Sequence, residues 1–134
     1  MKILLDTHIV LWVLTNPERL PAKIVTELKA PGNKVYYSIA SVWEIAIKHR
    51  IRPMEMPVTE EVFVELCEMA GLIQLPISVE HIYMIKTLVR EENAPRHNDS
   101  FDRMLIAQAK AEEMMFVTHD SLIPYYNESC VISV

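Results

Sequence analysis

Asp6, Glu44, Asp102 and Asp120 lie far apart in the sequence, yet each sits at the end of a short apolar run or just beyond one. Carboxylates gathered in one place repel one another, and a divalent cation removes that penalty. Ligation by oxygen alone suits Mg²⁺ or Mn²⁺ rather than zinc. Such an ion can activate water and stabilise charge building on a phosphodiester, and two ions about 4 Å apart can clamp both reacting oxygens. Asp99 is a candidate fifth member.

Taken singly, each acid has a plainer reading. Asp6 and Asp120 suit helix N-caps. Ser41 with Glu44, and loosely Asp99 with Asp102, match a capping box. Capping does not require four acids on one sheet edge, however. Asp102 is also in line with Ile106 and Ala109, on a largely apolar helix face. An acid there is costly unless it is paired or bound to a cation. No rival chemistry stands out. The serines and cysteines lack an oriented histidine and aspartate, and His8, His49, His81, His97 and His119 make no HExxH-type ligand set. His97 and His119 lie near the acids and are candidates for substrate contact.

Short strands and helices must position these groups. Lys2 to Leu5, Lys34 to Ser38, Leu72 to Leu75, Met114 to Thr118 and Cys130 to Val134 read as buried strands. Helices are expected over His8 to Leu14, Pro21 to Lys29, Ser41 to His49, Thr59 to Ala70, Ser78 to Arg90 and Asp99 to Glu112. Val62, Leu66 and Met69 define the expected buried face of the fourth helix. Val79, Ile82, Ile85 and Val89 define that of the fifth. The alternation implies an α/β fold: a parallel sheet with helices on both faces. Ligands then bind beyond the carboxyl ends of the strands, where the acids are.

Composition bounds the rest. A chain of 134 residues, 51% hydrophobic and 23% charged, fits a single domain over 1–134 with a real core. No apolar run reaches the roughly 20 residues needed to span a membrane. The start is too short and too soon interrupted by Asp6 for a signal peptide, so a cytoplasmic protein is expected. The two glycines, Gly32 and Gly71, are too few for a phosphate-binding loop. Cys67 and Cys130 are expected to be buried thiols, and Met54, Met56, Met69 and Met84 core residues rather than a partner groove. The net charge of −5 argues against a general nucleic-acid binder but not against a carboxylate nuclease. Basic density exists at Lys48 to Arg52 and at Arg90, Arg96 and Arg103; a solvated helix face accounts for it equally well.

Four stretches carry a family resemblance: Leu4-Leu5-Asp6-Thr7-His8; Ser38 through Trp43-Glu44-Ile45-Ala46; His97-Asn98-Asp99-Ser100-Phe101-Asp102-Arg103-Met104-Leu105-Ile106-Ala107-Gln108-Ala109; and Val117-Thr118-His119-Asp120. In this order and at these spacings the chain resembles the PIN-domain family, from residue 2 to its end. Within the family it looks most like the VapC-type toxins of bacterial and archaeal toxin–antitoxin pairs. The resemblance implies a three-layer α/β/α fold around a mainly parallel sheet of four to five short strands. It places the family's four acids on Asp6, Glu44, Asp102 and Asp120. It implies Mg²⁺ or Mn²⁺ binding, RNA cleavage, a homodimer, and a cognate antitoxin whose tail enters the active site. Two departures stand out. The subgroup's Asp-Pro-Phe-Asp is Asp99-Ser100-Phe101-Asp102 here, and Glu113-Met114 stands where a glycine often precedes the late strand.

The resulting expectation is a metal-dependent endoribonuclease. Asp6, Glu44, Asp102 and Asp120 would hold one or two ions, with Asp99 as helix cap or outer ligand. Thr7, Ser38 and Thr118 would orient waters or carboxylates. Arg103, Thr7, Thr118 and Lys48 are candidate substrate contacts, with the Lys48 to Arg52 cluster facing the RNA backbone. The alternative is a PIN-like protein- or RNA-binding module without nuclease activity. A phosphatase of the Asp-x-Asp kind is disfavoured because His8 occupies the second acid's position, and a receiver domain because the late lysine is missing.

Overall fold

A computed structural model describes all 134 residues. In chain order the elements are β1 (Lys2–Leu5), α1 (Thr7–Thr15), α2 (Ala22–Lys29), β2 (Lys34–Ser38), α3 (Ile39–Ile51), α4 (Glu60–Met69), β3 (Ile73–Leu75), α5 (Val79–Ile85), α6 (Ser100–Ala111), β4 (Met115–Thr118) and β5 (Val131–Ser133). Short 3₁₀ turns occur at Pro17–Arg19 and Ile123–Tyr126. The strands form one sheet in the order β3-β2-β1-β4-β5, every pairing parallel.

Parallel strands covered on both faces must be apolar on both sides. Residues of β1 and β4 show it directly. Ile3, Leu5 and Val117 enter one core with Ile9 and Val10 of α1, Ile24 of α2, and Phe63 and Cys67 of α4. Leu4 and Phe116 enter a second core with Leu105, Ile106 and Ala109 of α6. α3 reaches both, through Ile45 and Ala40. The outcome is the three-layer α/β/α arrangement the sequence implied.

The chain winds outward from β1 to β2 and β3, then returns to β1's other side for β4 and β5. The turn in strand order therefore falls between β1 and β4, and a crevice opens above their carboxyl ends. The Asp6 amide donates to Val117 O at 3.0 Å, so the two strands stay paired up to the first acid.

Two helix faces differ from expectation. On α4 it is Phe63 and Cys67 that are sealed in the core, whereas Val62 and Met69 are exposed. Apolar residues recur on this helix in two phases, and periodicity alone cannot rank them. α5 ends at Ile85 rather than Arg90. Thr87 and Leu88 donate to carbonyls three residues back, and the Thr87 hydroxyl bonds Met84 O at 2.7 Å, so the last turn tightens and stops. Val79, Ile82 and Val89 are exposed; the buried residue is His81, whose ring accepts from the Ser78 amide in a capping box. Of the four methionines only Met56 is buried; Met54 and Met69 are open to solvent. Cys67 is buried, its thiol pushed up to about 12 by desolvation, while Cys130 is only half-buried.

Two helices end in the same hydrogen-bonded motif. After α4, Leu72 N–H reaches Cys67 O and Gly71 N–H reaches Glu68 O, with Gly71 at φ 78°. After α6, Met114 N–H reaches Ala109 O and Glu113 N–H reaches Lys110 O, with Glu113 at φ 54°. Glycine adopts this left-handed backbone freely, whereas a residue with a Cβ does so at a cost of about 1–2 kcal/mol. Glu113 thus closes α6 with the bonds Gly71 makes after α4, and carries a backbone strain that a glycine would not.

Two thermal or denaturant unfolding measurements follow. Phe63→Ala should destabilise by about 3–5 kcal/mol, and Met69→Ala by no more than about 0.5 kcal/mol; the reverse ranking would mean the wrong α4 face is buried here. Glu113→Gly should stabilise by about 0.5–1 kcal/mol once glycine's greater chain entropy is counted. A loss of stability would contradict the strain at that turn.

Candidate metal centre

Asp6 does two jobs at the mouth of β1. One carboxylate oxygen accepts from the Thr7 amide at 2.7 Å and caps α1, and the other accepts from the Thr118 hydroxyl at 2.6 Å. Thr118 also accepts from the Asp120 amide at 3.0 Å, so one hydroxyl at the end of β4 ties two acids to one corner. Asp120 accepts from the Leu122 amide at 2.8 Å, which fixes its turn. Glu44 arrives from the second turn of α3. Its Oε1 receives the Thr7 hydroxyl at 2.7 Å, and Thr7 in turn lies 2.8 Å from the Ser41 hydroxyl. Thr7 and Thr118 therefore orient acids directly. Ser38 does not: it caps α3 through the Ala40 amide and donates to Gln108 Oε1 at 2.5 Å. Ser38, not Ser41, is the N-cap of α3, so the capping box read at Ser41 and Glu44 is absent and Glu44 is free of capping duty.

Asp99 caps α6, accepting from the Phe101 and Asp102 amides at 2.9 and 3.0 Å. Ser100 is the first helical residue, a position where the subgroup's proline would also fit. Asp102 turns inward as its alignment with Ile106 and Ala109 required, and it is buried. Its Oδ2 lies 3.1 Å from His97 Nε2, and His97 Nδ1 lies 2.7 Å from the Tyr126 hydroxyl. Where Asp102 is ionised it can only accept, so Nε2–H donates to it and the Tyr126 hydroxyl donates to Nδ1. His97, Asp102 and Asp120 offer ligand atoms within 4.8 Å of one another. With both ring nitrogens engaged, His97 serves better as a holder of Asp102 than as a ligand. Tyr126 is the residue the sequence reading missed. Only folding brings the Ile123–Tyr126 turn over the Asn93–Asn98 loop, so no local pattern announces it.

All five acids, Asp6, Glu44, Asp99, Asp102 and Asp120, line one cleft of about 360 Å³. His8 and Trp12 of α1, Lys48 of α3, and His119 complete its wall. Arg103 does not line it. Its charge acts on His97 and Tyr126, and a substrate contact by Arg103 would be made outside this lining.

The charge balance is unfavourable. Desolvation raises the Asp6 carboxyl above the usual range, opposed by the Thr118 and Thr7 hydrogen bonds. Asp102 is pushed up to about 9, first by desolvation and then by Asp6, Asp99, Asp120 and Glu44. Burial lowers His97 as well, so it is a neutral partner and offers Asp102 no cation. Lys48 is the one close cation, with Nζ 2.5 Å from Glu44 Oε2. Desolvation works against its charge, but its bond to Glu44 and the pull of Asp99 and Asp102 win and raise its pKa. One ammonium paired with one acid does not neutralise five. Oxygen donors converging with uncompensated negative charge fit Mg²⁺ or Mn²⁺, and the donor set holds no thiolate.

The linkage has a definite sign. A carboxyl raised from 3.8 to about 9 on folding makes the native state hold its proton longer than the unfolded chain. Stability from that group is full below about pH 4 and is lost as pH rises toward 9. Free of divalent ions, the protein's Tm should fall between about pH 5 and 8, and saturating Mn²⁺ should remove the fall. A metal-free Tm that rises over this range would contradict the burial of Asp102.

Comparisons with known proteins bear on the fold that carries this cleft. The PIN domain description matches residues 3–127. Among solved structures, VapBC2 of Rickettsia felis, bound to a promoter DNA fragment, is similar at 17% identity and a TM-score of 0.68, over 100% of this chain and 98% of that one. VapBC-1 of nontypeable Haemophilus influenzae gives 17% and 0.60, over 90% and 87%. A toxin–antitoxin complex of Klebsiella pneumoniae gives 16% and 0.60, over 98% and 96%. No curated protein sequence matches. The matched span runs from inside β1, which leads into Asp6, to just past Tyr126, and on that evidence the chain belongs to the PIN-domain family.

Proposed function

We propose that the chain is a divalent-metal-dependent endoribonuclease, the toxin of a toxin–antitoxin pair. The observation that carries this is the convergence of Asp6, Glu44, Asp102 and Asp120 from four separate segments into one cleft, with one in-chain cation among them. The toxin role draws support from the solved relatives, which are toxin–antitoxin assemblies. On this reading the partners are an RNA substrate, a cognate antitoxin and a second copy of the chain, and the setting is the cytoplasm. No helix is long and apolar enough to cross a membrane.

Asp6, Asp102 and Asp120, with Glu44, would hold the Mg²⁺ or Mn²⁺; Asp99, already committed to capping α6, would act as an outer ligand. When bound, such an ion supplies Lewis-acid stabilisation of a phosphodiester and lowers the pKa of an attacking water. The protein's share is placement. Thr118 fixes Asp6, Thr7 fixes Glu44, and the Tyr126–His97 pair holds one oxygen of Asp102 while the other has no hydrogen-bond partner in the chain. Lys48 stands beside Glu44 where a phosphate oxygen can meet its ammonium.

The test is RNA cleavage by purified protein with Mg²⁺, with Mn²⁺ and with excess EDTA. Cleavage should require the metal. Asp6→Asn and Asp102→Asn should each lower the rate by at least about a hundredfold, and Tyr126→Phe by about ten- to a hundredfold, all with the fold intact. Unchanged cleavage in both aspartate variants, free of contaminating nuclease, would remove this site from the account.

A further inference from the structure

Glu44, Lys48 and Arg52 succeed one another at i, i+4 and i+8, so α3 and its C-cap carry one polar stripe out of the acidic cleft. The stripe leads into a second cleft of about 440 Å³, lined by His8, Lys48, Ile51, Arg52, Glu55 and Met56. His8 and Lys48 line both clefts, so the two adjoin. The second has the opposite character: cationic groups on its walls, one acid, and two apolar side chains. Ile51 is exposed there and Met56 is rooted in the core.

This groove is built rather than incidental. The Glu55 and Met56 amides both donate to Arg52 O at 3.0 Å, and the His49 ring bonds Met56 O at 2.8 Å, which holds the Arg52–Met56 wall against α3. Arg52 is tied only to Glu55, at 3.5 Å, with both side chains largely in solvent. Such a pair is weak and gives way to a phosphate. The acidic cleft offers a base less: its one apolar wall residue, Trp12, is already covered by the Arg19 guanidinium at 4.5 Å and touched by the His119 ring at 5.0 Å.

We infer that this groove seats an unpaired ribonucleotide adjoining the cleaved linkage, with its phosphate on Arg52 and Lys48 and its base on Ile51 and Met56. The inference rests on the reading that the chain acts on RNA. A duplex keeps its bases stacked inward and offers the groove only backbone, leaving the apolar floor wet. An unpaired strand can turn a base onto that floor while its phosphates follow the cations.

The experiment measures anisotropy of a fluorescent ten-nucleotide single-stranded RNA on the intact Asp6→Asn chain in Mg²⁺, across a range of salt concentrations. Arg52→Gln should weaken binding about tenfold and reduce the salt slope by about one. Ile51→Ser should weaken it severalfold with the slope unchanged. Arg50→Gln, whose side chain lines a different depression with Trp43 and Glu60, should change little. The same sequence as a duplex should bind more weakly. Equal losses at Arg50 and Arg52, no loss at Arg52, or duplex binding as tight as single-strand binding would overturn the subsite. Arg52-dependent binding by a protein that cuts no RNA would leave the subsite standing and sink the nuclease reading. Metal-dependent cleavage with binding indifferent to Arg52 would sink the subsite alone.

Discussion

Five carboxylates share one cleft with a single lysine, and the rest of the site is arranged around holding that repulsion in place. Apart from the Lys48–Glu44 pair, the acids are restrained by groups that do not neutralise them: helix-capping and turn amides, threonine hydroxyls, a neutral histidine. Hydrogen bonds of this kind fix direction and lower the cost of ionisation, yet they leave the net charge untouched. The fold supplies the energy to keep the acids together, because their anchors are strand ends and helix starts packed between two apolar cores. On the proposed reading, a cation arriving from solvent would release the strain rather than create the site.

Topology explains why these acids, and not others, meet. The turn in strand order puts β1 and β4 side by side, and Asp6 and Asp120 follow them directly. α3 begins immediately after β2, so Glu44 needs only its second turn to reach the same edge. α6 begins at the Asp99 cap and brings Asp102 in on its buried face. Thr118 shows how tightly strand pairing and chemistry are joined, since one hydroxyl both receives the Asp120 amide and donates to Asp6.

Much of this was legible in the sequence because buried parallel strands read as continuous apolar runs. All five strands were located within a residue at each end, and the acids stand out as polar residues closing those runs. Helix faces were less legible. α4 carries apolar residues in two phases, and the choice between Phe63 with Cys67 and Val62 with Met69 depends on what lies opposite, which no local pattern contains. Within the site the same limit applies. Thr7 and Thr118 were found because they adjoin acids in sequence, whereas Tyr126 meets His97 only through the meeting of two loops. Ser38 touches no acid because a serine before a helix serves capping as readily as chemistry, and here it caps.

Whether the clustered acids form a divalent-cation site is tested most directly by titrating the metal-free protein with Mn²⁺ and following the free ion by electron paramagnetic resonance at neutral pH. Saturable loss of the free-ion signal with wild-type protein, absent in Asp6→Asn and Asp102→Asn, is the predicted result. A free-ion signal that follows the added Mn²⁺ without protein-dependent loss, up to millimolar concentration, would contradict the claim and leave Lys48 as the only counter-ion the cleft accepts.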